Sequence, residues 1–457
     1  MNERLKPSRY NHFVKCNNGR HLVFNALSCG LGEMDAENYE YYLEFIKGTH
    51  KKENGDYDDL IKVLMRGGIL VPEDISELDI IRAGHYRARF GNEGFGLTII
   101  PTVNCNFACD YCYENSLLHS LSPQQGGVMS DEVCENLIKL CQERVTEKTG
   151  LAVNWYGGEP LMALDVIKKL TDVFIELCDS KGAKYSAGMI TNGYLLTTDS
   201  LDFLLGAKVG FIQVTIDGPP DIHDTRRSLK SGGGTYECIL ANVQNIRDRM
   251  PLRISLRINV DRRNSSHIPR LLEDLKKRDL HCRANVSIHF GQTVRYSNSC
   301  PDIASHCMGS DEFADFMVEG FTHAVDLGFK ITSFPIRQIG SCSAVGVHSA
   351  LIEPNGDVQT CWATVGNADA AVGKLTPDGI RYNQNLTKWL GWNPFNTKCE
   401  KCNVLPICMG GCPYKYLYKD EVPDAEKHIC AWWKYNLGGM LEIASRAHRE
   451  GLLMVVR

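Results

Sequence analysis

Ten of the nineteen cysteines in this 457-residue chain fall into two spacing patterns, and each pattern requires a fold that gathers its sulfurs around a metal. The first is Cys105-x3-Cys109-x2-Cys112, within Pro101-Thr102-Val103-Asn104-Cys105-Asn106-Phe107-Ala108-Cys109-Asp110-Tyr111-Cys112. The second runs Cys342-x13-Gly356-x4-Cys361, then Cys399-x2-Cys402-x5-Cys408-x3-Cys412-x17-Cys430. Thiolates at such spacings suit iron–sulfur clusters or zinc. Three clustered cysteines instead of four leave one cluster iron without a protein ligand, and an open iron can bind a substrate. A zinc knuckle completed by a histidine such as His119 is the alternative use of the first three thiols.

The length allows roughly three domains and a sizeable buried core. A net charge of -5 gives no reason to expect a nucleic-acid surface. No apolar run approaches the length of a membrane span, and the closing Leu452-Leu453-Met454-Val455-Val456 is far too short for one. The opening Met1-Asn2-Glu3-Arg4-Leu5-Lys6-Pro7-Ser8-Arg9 lacks the apolar core of a secretory signal. Abundant cysteine without such a signal predicts a reducing cytoplasm, and metal in preference to disulfides.

Three regions follow from the patterning. Residues 1–90 read as a separate unit. His12–Cys16 and His21–Asn25 flank the turn Asn17-Asn18-Gly19, which predicts a β-hairpin. Helices are expected near 35–47 and 57–66, then a short strand at Ile69–Pro72 and a helix from Glu73. The arrangement is winged-helix-like, and the hairpin leaves an edge to which an extended peptide can add a strand. Residues 91–309 alternate strands with helices. The strands are Leu97–Val103, Leu151–Tyr156, Lys184–Ile190, Phe211–Ile216, Arg253–Val260 and Asn285–Phe290, and the helices lie near 130–146, 164–181, 198–207, 235–249 and 268–278. Such βα repeats predict an α/β fold with a full or partial barrel of parallel strands, whose ligands sit at the C-terminal strand ends. Loops starting at 104, 157, 191 and 217 are therefore expected to converge. Residues 310–457 begin with a helix at Ser310–Leu327 and continue into a Gly-, Pro- and Cys-rich region with little periodicity. Its apolar content reads as thin, so metal is expected to help it fold.

The first cysteine triplet, with aromatic Tyr111 before its last member, resembles the signature of radical S-adenosylmethionine (SAM) enzymes. That resemblance implies a partial (β/α)6 barrel and a 4Fe–4S cluster whose unique iron chelates SAM, with Tyr111 against the adenine. It also implies reductive cleavage to a 5′-deoxyadenosyl radical that abstracts hydrogen. Gly157-Gly158-Glu159-Pro160 after the second strand is similar to the family's motif for the SAM amine. Asn192 in Thr191-Asn192-Gly193, Thr215 and Asp217 in Thr215-x-Asp217-Gly218-Pro219, and Arg257 in Arg257-x-Asn259 resemble further loops near the ribose and carboxylate. Ordinary turn or strand-end roles stand beside that reading.

The seven C-terminal cysteines match the spacing of the SPASM extension of radical SAM enzymes, including the glycine five residues before Cys361. The resemblance implies two auxiliary 4Fe–4S clusters, for three in all. One would use Cys399, Cys402, Cys408 and Cys430; the other would use Cys342, Cys361 and Cys412. Where some members place a fourth cysteine, this chain has Ile336. Cys300 and Cys307 are the candidates for that place, or the site stays open to a substrate thiolate. One or two structural zinc sites are the alternative. Cys16, Cys29, Cys134, Cys141, Cys178, Cys238 and Cys282 read as core or surface residues.

Two branches of the family differ in substrate. Anaerobic sulfatase maturases carry an aspartate directly after the cysteine at the Cys361 position, where this chain has Trp362. The other branch modifies ribosomally made peptides, and many of its members carry an N-terminal peptide-recognition element. The resemblance therefore implies a cytoplasmic peptide maturase that holds the leader of a precursor and takes electrons from a reductant such as flavodoxin or ferredoxin. The bond expected is a thioether from a peptide cysteine to carbon, with a carbon–carbon crosslink as the competitor. A stabilising cap on the barrel is the bland reading of residues 1–90, and a non-catalytic cluster protein that of the whole.

Overall fold

A computed structural model describes residues 4–16, 18–49, 57–91, 94–112, 114, 127–249, 251–296, 301–422 and 424–454. The barrel strands are β6 (Gly96–Ile99), β7 (Leu151–Trp155), β8 (Tyr185–Thr191), β9 (Val209–Thr215), β10 (Arg253–Val260) and β11 (Val286–Gln292). All are parallel and hydrogen-bonded in chain order. Crossover helices such as Asp131–Arg144 and Leu164–Ser180 bury one apolar face against them, with Leu137, Leu140, Ile167 and Phe174 inaccessible to solvent. Ser130 caps the first of these helices by accepting from the Val133 amide.

The sheet does not stop at six strands. β12 (Ser349–Ile352) runs parallel to β6, and β13 (Asp357–Gln359), β14 (Gly373–Thr376) and β15 (Gly379–Tyr382) extend it antiparallel to ten. The register Ile352↔Ile99 brings the start of the C-terminal cysteine region beside the loop that follows β6. This region is also better packed than its composition suggests. Trp389, Met440 and Leu441 are fully buried, and the helix Trp433–Arg449 packs along Ser310–Asp326. The expectation of a thin apolar core there is corrected accordingly.

The N-terminal unit contains β1 (Leu5–Pro7) paired with β5 (Leu70–Pro72), and an antiparallel sheet of β2 (Asn11–Lys15), β3 (His21–Asn25) and β4 (Leu31–Met34). Three helices complete it, at Ala36–Lys47, Tyr57–Arg66 and Glu77–Phe90. Because β4 covers the outer side of β3, the free edges belong to β2 and β4. The unit packs an apolar face on the cysteine-rich region, and the end of its helix Glu77–Phe90 borders the start of β7 and β8. Tyr10, Phe24 and Ile81 share a core with Phe395, Leu405 and Met409.

Polar contacts cross the same junction. Arg89, 2% exposed, donates to the carbonyls of Val345 (2.8 Å), Trp392 (2.9 Å) and Leu390 (2.9 Å). His85 is fully buried between Arg89 and Phe395, and burial with the adjacent guanidinium pulls its pKa down to about 4. The unfolded chain protonates this imidazole below its ordinary value of 6.5 while the folded chain does not. Stability from this residue is therefore complete above about 6.5 and drains away towards about 4, by roughly 3 kcal/mol in total. Thermal melts across that window should show the loss, and His85→Gln should flatten it. Among the described residues, no helix is long and apolar enough to cross a membrane.

Candidate active site

The loop after β6 is laced to the loop after β7 by backbone bonds. The Gly158 amide donates to Thr102 O (3.2 Å) and the Glu159 amide to Asn104 O (2.8 Å). Gly157 lies at φ +123°, where a Cβ would stand 2.5 Å from Thr102 O. A Cβ on Gly158 would overlap the carbonyl oxygens of Val103 and Asn104. The two glycines are thus needed for contact with the chain's own cysteine loop. Gly158→Ala should displace that loop and lower SAM cleavage roughly 100-fold, read as 5′-deoxyadenosine formed under strong reductant.

These loops open into a cavity of 460 Å³ at the C-terminal strand ends. Cys105, Cys109 and Cys112 line it, together with Tyr111, Gly157, Gly158, Asn192, Thr215 and Arg257. Cys342, Cys361 and Cys412 line the same cavity. Glu159 and Asp217 do not reach it; both are fully buried behind the wall. Glu159 accepts from Thr191 Oγ1 (2.7 Å), the Asn192 amide (2.7 Å) and the Leu161 amide (3.1 Å), and burial raises its pKa against those donors. It sets the position of Asn192, whose side chain donates to Asn106 Oδ1 at 2.7 Å. Asp217 accepts from the Tyr111 hydroxyl and from the Asn259 amide (2.8 Å). In this arrangement both carboxylates organise the loops that line the cavity.

The thiols fit a metal cluster. Burial pushes Cys105 up to about 11 and raises Cys109 and Cys112 as well, with neighbouring acidic groups adding to it. Cys342 and Cys361 are raised for the same first reason. Desolvated thiols lining one cavity ionise readily only beside a cation, and a metal supplies one. A separate cavity of 510 Å³ is lined by Cys399, Cys402, Cys408 and Cys430. Among the described residues no fourth cysteine joins Cys342, Cys361 and Cys412. Cys307 is buried elsewhere, with its thiol on the Ile303 carbonyl (3.3 Å), and so does not take that place. Ile336 is exposed; Cys300 and His119 lie outside the described residues.

Arg227, Glu114 and Tyr156 also line the wall and belong to no motif of the sequence. Arg227 is buried, donates to the Tyr111 hydroxyl and stands 5.6 Å from the Phe107 ring. Its neighbour Arg226 pairs with buried Asp261 at 2.8 Å. The adjacent arginines at the end of the short helix Pro220–Arg226 were the available hint. Glu114, also in the wall, is raised by burial to about 7 while Tyr156 bonds to it. Trp362 lies against Tyr156 with ring centroids 4.7 Å apart.

Residues 99–291 match the Radical SAM superfamily model. These residues form a radical SAM domain, which makes the protein an enzyme and implies a 4Fe–4S cluster and SAM. Its fold is that of the SPASM-type radical SAM enzymes. The structure of anSMEcpe with bound AdoMet is 19% identical, covers 78% of this chain and 97% of its own, and gives a TM-score of 0.56. Streptococcus suis SuiB bound to precursor peptide SuiA is 15% identical, covers 94% of this chain and 99% of its own, with a TM-score of 0.53. Among curated relatives, the radical SAM cyclopropyl synthase TigE of Paramaledivibacter caminithermalis is 20% identical over 89% of both chains. A serine-type anaerobic sulfatase-maturating enzyme of Bacteroides thetaiotaomicron is 26% identical over 68% of this chain and 80% of its own.

Proposed function

We propose that this enzyme matures a ribosomally made precursor peptide by joining a cysteine sulfur to carbon as a thioether. The observation that carries the reading is the single cavity shared by Cys105, Cys109 and Cys112 with Cys342, Cys361 and Cys412. The first triplet holds the SAM-binding cluster, which with SAM supplies a 5′-deoxyadenosyl radical for hydrogen abstraction. Tyr111, Gly157, Gly158, Asn192, Thr215 and Arg257 orient SAM, and Glu159 and Asp217 fix those loops from behind. Arg257 is itself held by its Nε bond to Asn259 Oδ1 at 2.8 Å. Cys342, Cys361 and Cys412 would hold an auxiliary cluster, which would lower the pKa of a peptide thiol brought to it, and Cys399, Cys402, Cys408 and Cys430 would hold another. Trp362 and Tyr156 give the cavity an aromatic wall that excludes water from the reacting carbon.

The leader lies along the free edge of β4 as an added strand. A groove of 500 Å³ runs there between β4 and the helix Trp433–Arg449, with Leu31, Gly32, Phe334 and His448 in its walls. The SuiB structure, which contains precursor peptide SuiA, supports a peptide substrate. Coverage by TigE, a cyclopropyl synthase, favours carbon–carbon bond formation as the second reading. Trp362 in place of an aspartate weighs against sulfatase maturation. Anaerobically reconstituted enzyme should hold about twelve irons, as three cubanes require. It should consume the full precursor at least about tenfold faster than a leader-less core peptide. Zinc without iron, or equal rates on both peptides, contradicts the reading.

A further inference from the structure

The helix Ile268–Lys277 ends beside the start of β11, at the opposite end of the barrel from the cavity of the two cysteine triplets. There the Asp279 amide donates to Lys276 O (2.9 Å) and the Leu280 amide to Leu275 O (3.1 Å), bonds that turn the chain sharply with Asp279 at φ +62°. Leu280 is fully buried and anchors the turn. Ligand atoms of Asp279, His281 and Cys282 lie within 4.8 Å of one another. Asp279 and Cys282 are exposed, whereas His281 is half-buried, its ring centroid 6.0 Å from that of Phe329. The Nδ1 of His281 is shut off from solvent and meets no hydrogen-bond partner among the described residues. A buried polar atom without a partner is costly, and a cation at that nitrogen supplies one. The surrounding cations do not block the place. Arg283 stands closer to Asp248 (3.1 Å) than to Asp279 Oδ2 (3.5 Å), and Arg278 pairs with Asp274 and Glu237, each at 2.8 Å. Lys276 and Lys277 are exposed, so solvent and salt screen them.

We infer that Asp279, His281 and Cys282 form a surface zinc site, separate from every cysteine group described above. One carboxylate, one imidazole and one thiolate are a donor set that Zn²⁺ takes, with a fourth position left to water. The two negative ligands balance the charge of the ion. Zinc bonds of about 2.0–2.3 Å draw tetrahedral donors to roughly 3.5 Å of one another. Rotation of the exposed Asp279 and Cys282 side chains covers the difference from 4.8 Å. Binding forms bonds from zinc to sulfur, nitrogen and oxygen and releases the Cys282 thiol proton to water; nothing is oxidised or reduced. The bound ion withdraws an exposed thiol from solution and pins the turn that leads into β11.

The test follows alkylation of Cys282 by iodoacetamide in the full, anaerobically reconstituted chain, read by peptide mass spectrometry. Cys238, also exposed, is the internal standard. Zinc at roughly 100 μM should slow Cys282 at least about tenfold, because a metal-bound thiolate is withdrawn from reaction, and should slow Cys238 less than about twofold. Magnesium at the same concentration should slow neither, since thiolate is a soft ligand. His281→Ala and Asp279→Asn should each bring the rate in zinc to within about threefold of the zinc-free rate. Asparagine tolerates the backbone of position 279, so that variant keeps the turn. Zinc entering the cluster cysteines does not disturb a readout confined to one peptide, and the wild-type comparison with Cys238 stands without either variant. Equal Cys282 rates with and without zinc, equal protection of Cys238, equal protection by magnesium, or protection retained in either variant overturns the proposal.

Discussion

Cys109→Ala is expected to abolish 5′-deoxyadenosine formation and to remove about four of about twelve irons. Cys109 is the most enclosed of the first triplet: it is buried, with Arg227 and Asp217 close enough to act on its thiol. Two thiolates cannot hold a cubane in the place where SAM must meet it, so no partial activity is expected. The cluster proposed for the outer cavity should survive, because Cys399, Cys402, Cys408 and Cys430 line a separate space. Iron analysis paired with product chromatography reads both effects. Residual cleavage above a few per cent would show that Cys109 is not a ligand.

Arg89→Met is expected to cost about 3 kcal/mol of stability. The guanidinium satisfies three carbonyls, those of Val345, Trp392 and Leu390, inside the junction between the N-terminal unit and the cysteine-rich region. Methionine fills the space of the stem and leaves all three oxygens dry. Relief from burying a cation, whose pKa burial already lowers, offsets part of that cost. The loss should appear as a lower urea midpoint and as faster proteolytic release of the N-terminal unit. An unchanged midpoint would mean that the apolar contacts of Tyr10, Phe24 and Ile81 alone fix the junction.

The barrel was legible because each βα unit writes its period locally. All six strands and the five crossover helices form within a few residues of where alternation and capping put them. The cysteine loop and Gly157-Gly158 lie at strand ends for the same reason. Long-range pairing was not legible. Ser349–Ile352 is four residues long and carries no mark that it will lie parallel to β6, yet that pairing brings the two cysteine triplets into one cavity. β4, reading Leu31-Gly32-Glu33-Met34, lacks the β-branched residues that announce a strand. Glu159 and Asp217 stood out in their sequence motifs, but their burial behind the wall depends on partners from other strands.

The nature of the bond made is the centre of the functional reading, and tandem mass spectrometry of the product tests it most directly. The enzyme should be co-expressed with a cysteine-bearing candidate precursor peptide, and the product alkylated before fragmentation. The expected result is a loss of two hydrogens with one cysteine protected from alkylation, mapped to a sulfur–carbon bond. The same mass loss with every cysteine alkylated would contradict the thioether and leave carbon–carbon bond formation in its place.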